Sequence, residues 1–186
     1  MSVLELMVAL VVTSALAMIA IPGWQSMMAR NRLSTTANEL LGGLLAARTV
    51  AVSRQALVSV CAGNAQTGCH GDWSRGEWIS FIDRVPIGVF GEEDELQAQG
   101  RLAAPGRVSL SANGPFNRAV VFRPNGSASW PSGAFAAGRL RVCAAEAGVV
   151  PNAVDLVLIG SGRAVAQPCH LEGRCAPPTE AAARCQ

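Results

Sequence analysis

The chain has 186 residues, 50% of them hydrophobic and 15% charged, with a formal net charge of +2. So mild a balance excludes any global electrostatic attraction to nucleic acid or acidic lipid, and the length suits one globular domain with a core of its own. Two histidines and no tyrosine leave little inventory for catalysis.

Residues 1–21 form one nearly unbroken apolar run, VLELMVALVVTSALAMIAI after Met1-Ser2, with a single charge at Glu5. As a helix rising about 1.5 Å per residue, such a run reaches about 30 Å, the thickness of a bilayer's hydrocarbon core. A carboxylate inside it costs roughly 2.5–3.5 kcal/mol to insert. Glu5 is therefore a functional candidate, against the plainer reading of a headgroup-level residue on an ordinary anchor. The run has no basic flank and leads into Pro22-Gly23-Trp24 rather than a small-residue cleavage site, so a retained anchor is expected in place of a secretory signal.

From 24 to 53 the pattern becomes amphipathic. Met27, Met28, Leu33, Ala37, Leu40, Leu41, Leu44 and Leu45, with the stem of Arg48, recur at spacings of three and four among Arg30, Asn31, Arg32, Asn38 and Glu39. The spacing predicts that the helix continues into water with one apolar stripe, kinked or loosened at Pro22, whose ring removes a donor and crowds the preceding turn. Gly42-Gly43 weakens a helix by roughly 1 kcal/mol per glycine, so close packing against a sheet is expected there.

Beyond the helix the signals are those of strands. Residues 55–61, 76–83, 107–111, 119–123, 138–143 and 155–159 alternate or are β-branched, and Pro124-Asn125-Gly126 and Gly160-Ser161-Gly162 read as turns. Trp73 and Trp78 read as packing residues. The stretch 84–106 is mixed; its acidic run Glu92-Glu93-Asp94-Glu95 lacks the spacing of a calcium loop and reads as solvated. Arg139 and Arg141 share one strand face opposite Leu140 and Val142, the pattern of a half-exposed face or of a basic strip. Antiparallel strands behind a long helix make the class α+β.

Two sets of motifs carry a resemblance. Met1-Ser2-Val3-Leu4-Glu5-Leu6-Met7-Val8-Ala9-Leu10, with glutamate fifth and Pro22 at its matching position, resembles the mature N-terminus of type IV pilins and type II secretion pseudopilins. Gly71-Asp72-Trp73, Trp78-Ile79-Ser80-Phe81-Ile82-Asp83, Val121-Phe122-Arg123-Pro124-Asn125-Gly126, Leu140-Arg141-Val142-Cys143 and Leu158-Ile159-Gly160-Ser161-Gly162-Arg163 resemble the successive sheet motifs of GspH/FimT-type minor pilins. The resemblance implies the type IV pilin fold, a long N-terminal hydrophobic helix packed on an antiparallel β-sheet domain. It implies that Met1 is the first residue after prepilin peptidase has removed a short leader and methylated the new amino terminus, and that Glu5 pairs with that amine on a neighbouring subunit.

Six cysteines without a cytosolic metal or redox motif favour an oxidising compartment. Cys169, His170 and Cys175 carry zinc-binding donors, yet disulfides are expected instead. Six cysteines allow fifteen pairings; the one expected is Cys61 with Cys69, Cys143 with Cys169, and Cys175 with Cys185. No nucleophile elbow or phosphate loop is present, so no enzyme, cofactor or metal is expected. Some FimT-type minor pilins bind DNA through a Gly-Arg-x-Arg motif, but here Gly162-Arg163 is followed by Ala164-Val165. Arg163, Arg174 and Arg184 remain candidates for weak, salt-dependent DNA contacts.

The division expected is a membrane and filament-core helix (1–22), its amphipathic continuation (23–54), a β-rich head (55–163) and a cysteine-rich tail (164–186). The reading is a minor type IV pilin of a tip or assembly-priming complex, held once through the inner membrane with a periplasmic head and exposed on the pilus after assembly. Its partners would be other minor and major pilins, the inner-membrane assembly machinery and prepilin peptidase. A type II secretion pseudopilin and a DNA-uptake pilin are the alternatives.

Overall fold

The computed structural model describes residues 2–102, 106–146, 148–171, 175 and 178. Helix α1 spans Val3–Arg54 and closes on Gln55, whose backbone turns left-handed and donates its N–H to Ala51. Helical conformation runs through Pro22 without interruption. In its second half Ala29, Leu33, Ala37, Leu40, Leu44, Ala47 and Ala51 are buried, a stripe at spacings of three and four.

That stripe is narrower than the sequence implied. Met27 and Leu45 are 60% and 43% exposed, and Met28 also faces outward. Each residue is turned about 100° from its neighbour, so Leu45 points well away from the sheet that Leu44 meets. Four alanines do much of the covering, and their small side chains let the sheets come close. The two glycines separate likewise. A methyl at Gly43 would lie 2.6 Å from the Trp78 ring, whereas one at Gly42 meets nothing.

Two antiparallel sheets pack on this half of α1. The first contains β1 (Val58–Asn64), β2 (Gly68–Cys69), β3 (Glu77–Ile82), β4 (Glu95–Arg101), β6 (Ala119–Phe122) and β7 (Ala128–Ser129), in the order β4-β3-β1-β6-β7 with β2 on β1. The second contains β5 (Val108–Ala112), β8 (Gly138–Ala144), β9 (Ala153–Leu158) and β10 (Ala164–Cys169), in the order β10-β9-β8-β5. Leu33, Leu40 and Leu44 share one core with Val58, Val60 and Phe122 of the first sheet and Leu110, Leu140 and Leu156 of the second. Arg48 ties the two together, donating from Nε to Gly126 (2.9 Å) and from Nη2 to Ser161 (3.4 Å), in turns belonging to different sheets. Trp73 and Trp78 are buried as expected; the Trp73 indole donates to the Phe116 carbonyl at 2.6 Å.

Two longer strands escaped the sequence reading, and both are edges. β4 takes its first residue from the acidic run, and polar side chains suit a strand with one partner and one open flank. In β10, Pro168 is admissible because the strand pairs with β9 alone. The second sheet thus runs on to Cys169, six residues past the boundary drawn at Arg163. In the acidic loop Asp94 accepts the backbone N–H groups of Arg84 and Gly91, both at 2.8 Å, while Glu92 and Glu93 are exposed.

Candidate functional site

The first half of α1 has no covering layer. Over an eighteen-residue window its mean hydropathy is 2.4 and none of it is buried; among the described residues it is the one segment long and apolar enough to cross a membrane. Within residues 3–21 the polar side chains are Glu5, Thr13 and Ser14. Both hydroxyls are satisfied by their own helix: Thr13 donates to Ala9 (2.8 Å) and Ser14 to Val11 (2.9 Å). Such bonds to the preceding turn suit an environment without water.

Glu5 is different. It lies in the first turn, where a negative charge complements the helix dipole. Its side chain makes no hydrogen bond or ion pair with any other described residue. Among residues 2–29 it is the lone charge on the helix. Met1 lies outside the described residues, and the backbone at Pro22 is helical.

The head is held by covalent and ionic ties on the faces of the two sheets turned away from α1. Cys61 and Cys69 are joined, Cα to Cα 5.6 Å, closing the β1–β2 turn. Cys143 pairs with Cys175 at a Cα separation of 5.8 Å, which corrects the expected Cys143–Cys169 and Cys175–Cys185 bridges. The reason is register. Cys143 stands opposite Ala153, and Ala153 opposite Cys169, so a whole strand separates the two cysteines. Two strand spacings come to roughly 9.5 Å, beyond the roughly 4.4–6.8 Å a disulfide spans. Cys169 is itself disulfide-bonded, so neither it nor Cys175 offers the thiolate a zinc site needs. Cys185 lies outside the described residues.

Beside these cysteines sits a pair the sequence reading missed. Arg141 and Asp155, opposite each other in β8 and β9, are fully buried and bonded through both oxygens, at 2.6 Å from Nε and 2.8 Å from Nη2. Arg139 joins from the rim at 3.7 Å. The expected half-exposed or basic face is thus a covered, neutralised one. The described points of the C-terminal segment account for part of the cover. Leu171 exchanges two hydrogen bonds with Asn152, Cys175 is bonded to Cys143, and the Pro178 carbonyl accepts from Asn113. The available signal was Asp155, one acid inside the apolar strand Ala153–Leu158.

Two other carboxylates differ by environment. Burial raises the Asp83 pKa, with a contribution from Asp94, and outweighs the opposing hydrogen bonds from Ser59 and from the Gly88 N–H. Exposed Asp72 is lowered, chiefly by hydrogen bonds from Ser74. Arg163 is exposed after the β9–β10 turn; Arg174 and Arg184 lie outside the described residues.

A membrane-length helix with one carboxylate that has no partner among the described residues, continued into a disulfide-tied β head, defines a class: a protein with a membrane-anchoring apolar stem and a separate folded head. The family model described as Type II transport protein GspH matches residues 36–162, more than half of the chain, so the chain belongs to the GspH family of pilin-like proteins. Two crystal structures of the type IV minor pilin FimU from Pseudomonas aeruginosa are similar to it, each 20% identical. One, in space group P21, has a TM-score of 0.46 and covers 75% of this chain and 90% of its own. The other, in space group P65, has a TM-score of 0.44 and covers 73% and 93%. No curated protein matches the sequence.

Proposed function

We propose that this chain is a minor type IV pilin, a non-catalytic structural subunit of the tip or assembly-priming complex, stored in the inner membrane and drawn stem-first into a filament. The observation that carries the reading is Glu5, a carboxylate with no partner among the described residues, in a stretch (3–21) whose other side chains are apolar or bonded to their own helix. Each Val, Leu or Met of that stem moved into water would forfeit about 1.5–3 kcal/mol, so the helix can leave lipid only for another apolar surface. A bundle of neighbouring stems is such a surface. There Glu5 meets the methylated amine of the next subunit's first residue. A buried charge pair adds little stability but penalises every alignment that leaves the charges apart.

The test is Glu5→Ala and Glu5→Lys in the intact chain. Both should insert in the membrane at wild-type levels and be absent from sheared filaments. Incorporation at wild-type levels would refute the mechanism. The family's description favours a second reading, a minor pseudopilin of type II secretion with the same stem chemistry. Deleting the gene separates them: loss of surface pili supports the first, accumulation of secreted proteins in the periplasm the second. The exposed Arg163 keeps a DNA-uptake role testable by gel shift at low salt, where an unretarded probe ends it.

A further inference from the structure

The second sheet runs back along α1 toward the stem. Arg48 reaches Ser161 beyond the end of β9, beside the start of β8, while Arg32 pairs with Glu146 just past the end of β8. About 24 Å of helix separates the two arginines, and a seven-residue strand covers about 23 Å. The loop that follows β8 is therefore the part of this sheet nearest the apolar run. It carries Val149, which is buried, and Val150, which is 52% exposed.

Positive charge collects at this end. Arg32 and Arg107 both approach Oε1 of Glu146, at 3.2 and 3.4 Å, so one negative charge is set against two positive. Glu146 Oε2 is buried with no hydrogen-bond partner among the described residues, so neither arginine grips the carboxylate through both oxygens. A guanidinium has five N–H donors, and here each spends one on Glu146. The Arg107 side chain is 63% exposed. Arg30, on the opposite side of α1, is exposed and makes no ion pair with any other described residue.

The stem sets how far this charge lies from a bilayer. On the anchored reading above, on which this proposal rests, Trp24 is the residue type that settles at the membrane–water interface, and it is 67% exposed. Arg30 and Arg32 follow about 9 and 12 Å further along the helix. The headgroup layer is about 5–8 Å thick. Helical side chains slant toward the N-terminus, here toward the bilayer, so both guanidinium groups can reach the edge of that layer. A net charge of +2 exerts no global pull on acidic lipid, but the fold gathers these arginines where lipid would be. A planar guanidinium matches the oxygens of a phosphate. We propose that this end of the head rests on anionic phospholipid while the chain is anchored, with a headgroup phosphate between Arg32 and Arg107, another at Arg30, and Val150 as the apolar contact.

The experiment places the full chain in nanodiscs of phosphatidylcholine with and without phosphatidylglycerol, and follows hydrogen exchange by mass spectrometry. An arginine near an anionic surface is worth about a fivefold preference, so exchange in the β8–β9 loop should slow at least about fivefold in the anionic discs. The difference should vanish in about 1 M salt. The exposed segment around Glu92 and Glu93, at the far end of the head, should exchange alike in both. Arg107→Gln leaves the Arg32–Glu146 pair in place and should lose most of the slowing. Glu146→Gln removes the carboxylate that competes for both arginines and should increase it, a gain that a purely structural ion pair would not give. Equal exchange in the two discs, or no change in Arg107→Gln, overturns the proposal. Slowing in neutral discs that requires two chains per disc assigns the surface to a second copy and overturns it as well. A chain that fails to enter the discs overturns the anchored reading itself.

Discussion

Two carboxylates stand alone in apolar stretches of this chain, Glu5 within VLELMV and Asp155 within AVDLVL, and the two regions treat them in opposite ways. In the head, β8 delivers Arg141 to the position directly opposite Asp155, and both are sealed from water. In the stem, no described residue reaches Glu5, and the surface around it is bare. A lone charge in an apolar run demands a partner. The head answers within the fold, whereas the described residues of the stem supply no answer.

The sharpest way to break this comparison is to remove one member of the buried pair. Arg141→Ala or Asp155→Ala strands a charge in the interior and should cost about 3–5 kcal/mol, read as a lowered midpoint in chemical denaturation of the head. Replacing both with apolar residues of similar volume should recover most of that loss. Glu5→Ala should leave the same midpoint unchanged, since no described residue of the head touches it. A head equally sensitive to both carboxylates would end the distinction.

Next in size is a pair of leucines on one helix. Leu40 is 4% exposed and Leu10 is 61% exposed. Leu40→Ala should lower head stability by about 2–5 kcal/mol, and Leu10→Ala should leave it unaltered, as followed by near-ultraviolet circular dichroism of the buried tryptophans. The adjacent glycines should give opposite signs. Gly43→Ala presses on the Trp78 ring and should cost about 1–3 kcal/mol. Gly42→Ala meets open space and should gain up to about 1 kcal/mol from helix propensity.

The smallest expected effect is on pH dependence. Asp83 holds its proton above the ordinary value of 3.8 in the folded chain because it is buried. The folded state then binds more protons than the unfolded one just above that pH, so this contribution to stability falls as pH rises through the raised value. Asp83→Asn keeps an oxygen to accept from Ser59 and Gly88, and should flatten that part of the stability profile measured by denaturant titration across acid pH. Asp72, lowered by Ser74, acts with the opposite sign: its contribution is lost as pH falls through its folded value.

Much of this was legible from local pattern. The uninterrupted apolar run, the change to three-and-four spacing after Trp24, six of the strands, the buried tryptophans and the short Cys61–Cys69 closure follow from periodicity and proximity along the chain. Edge strands were not legible. β4 is polar and β10 contains Pro168, because a strand bonded on one side need not satisfy the demands of a central one.

The sequence by itself determined the long helix, the solitary carboxylate at its tip and the α+β class, since helix formation and hydropathy depend on residues near one another in the chain. Only the tertiary structure decided which α1 residues are covered, that Arg141 is an interior ion-pair partner rather than a surface cation, and that Cys143 reaches Cys175 and not Cys169. Those outcomes depend on register between strands distant in sequence, where shifting by one residue exchanges the two faces of a sheet.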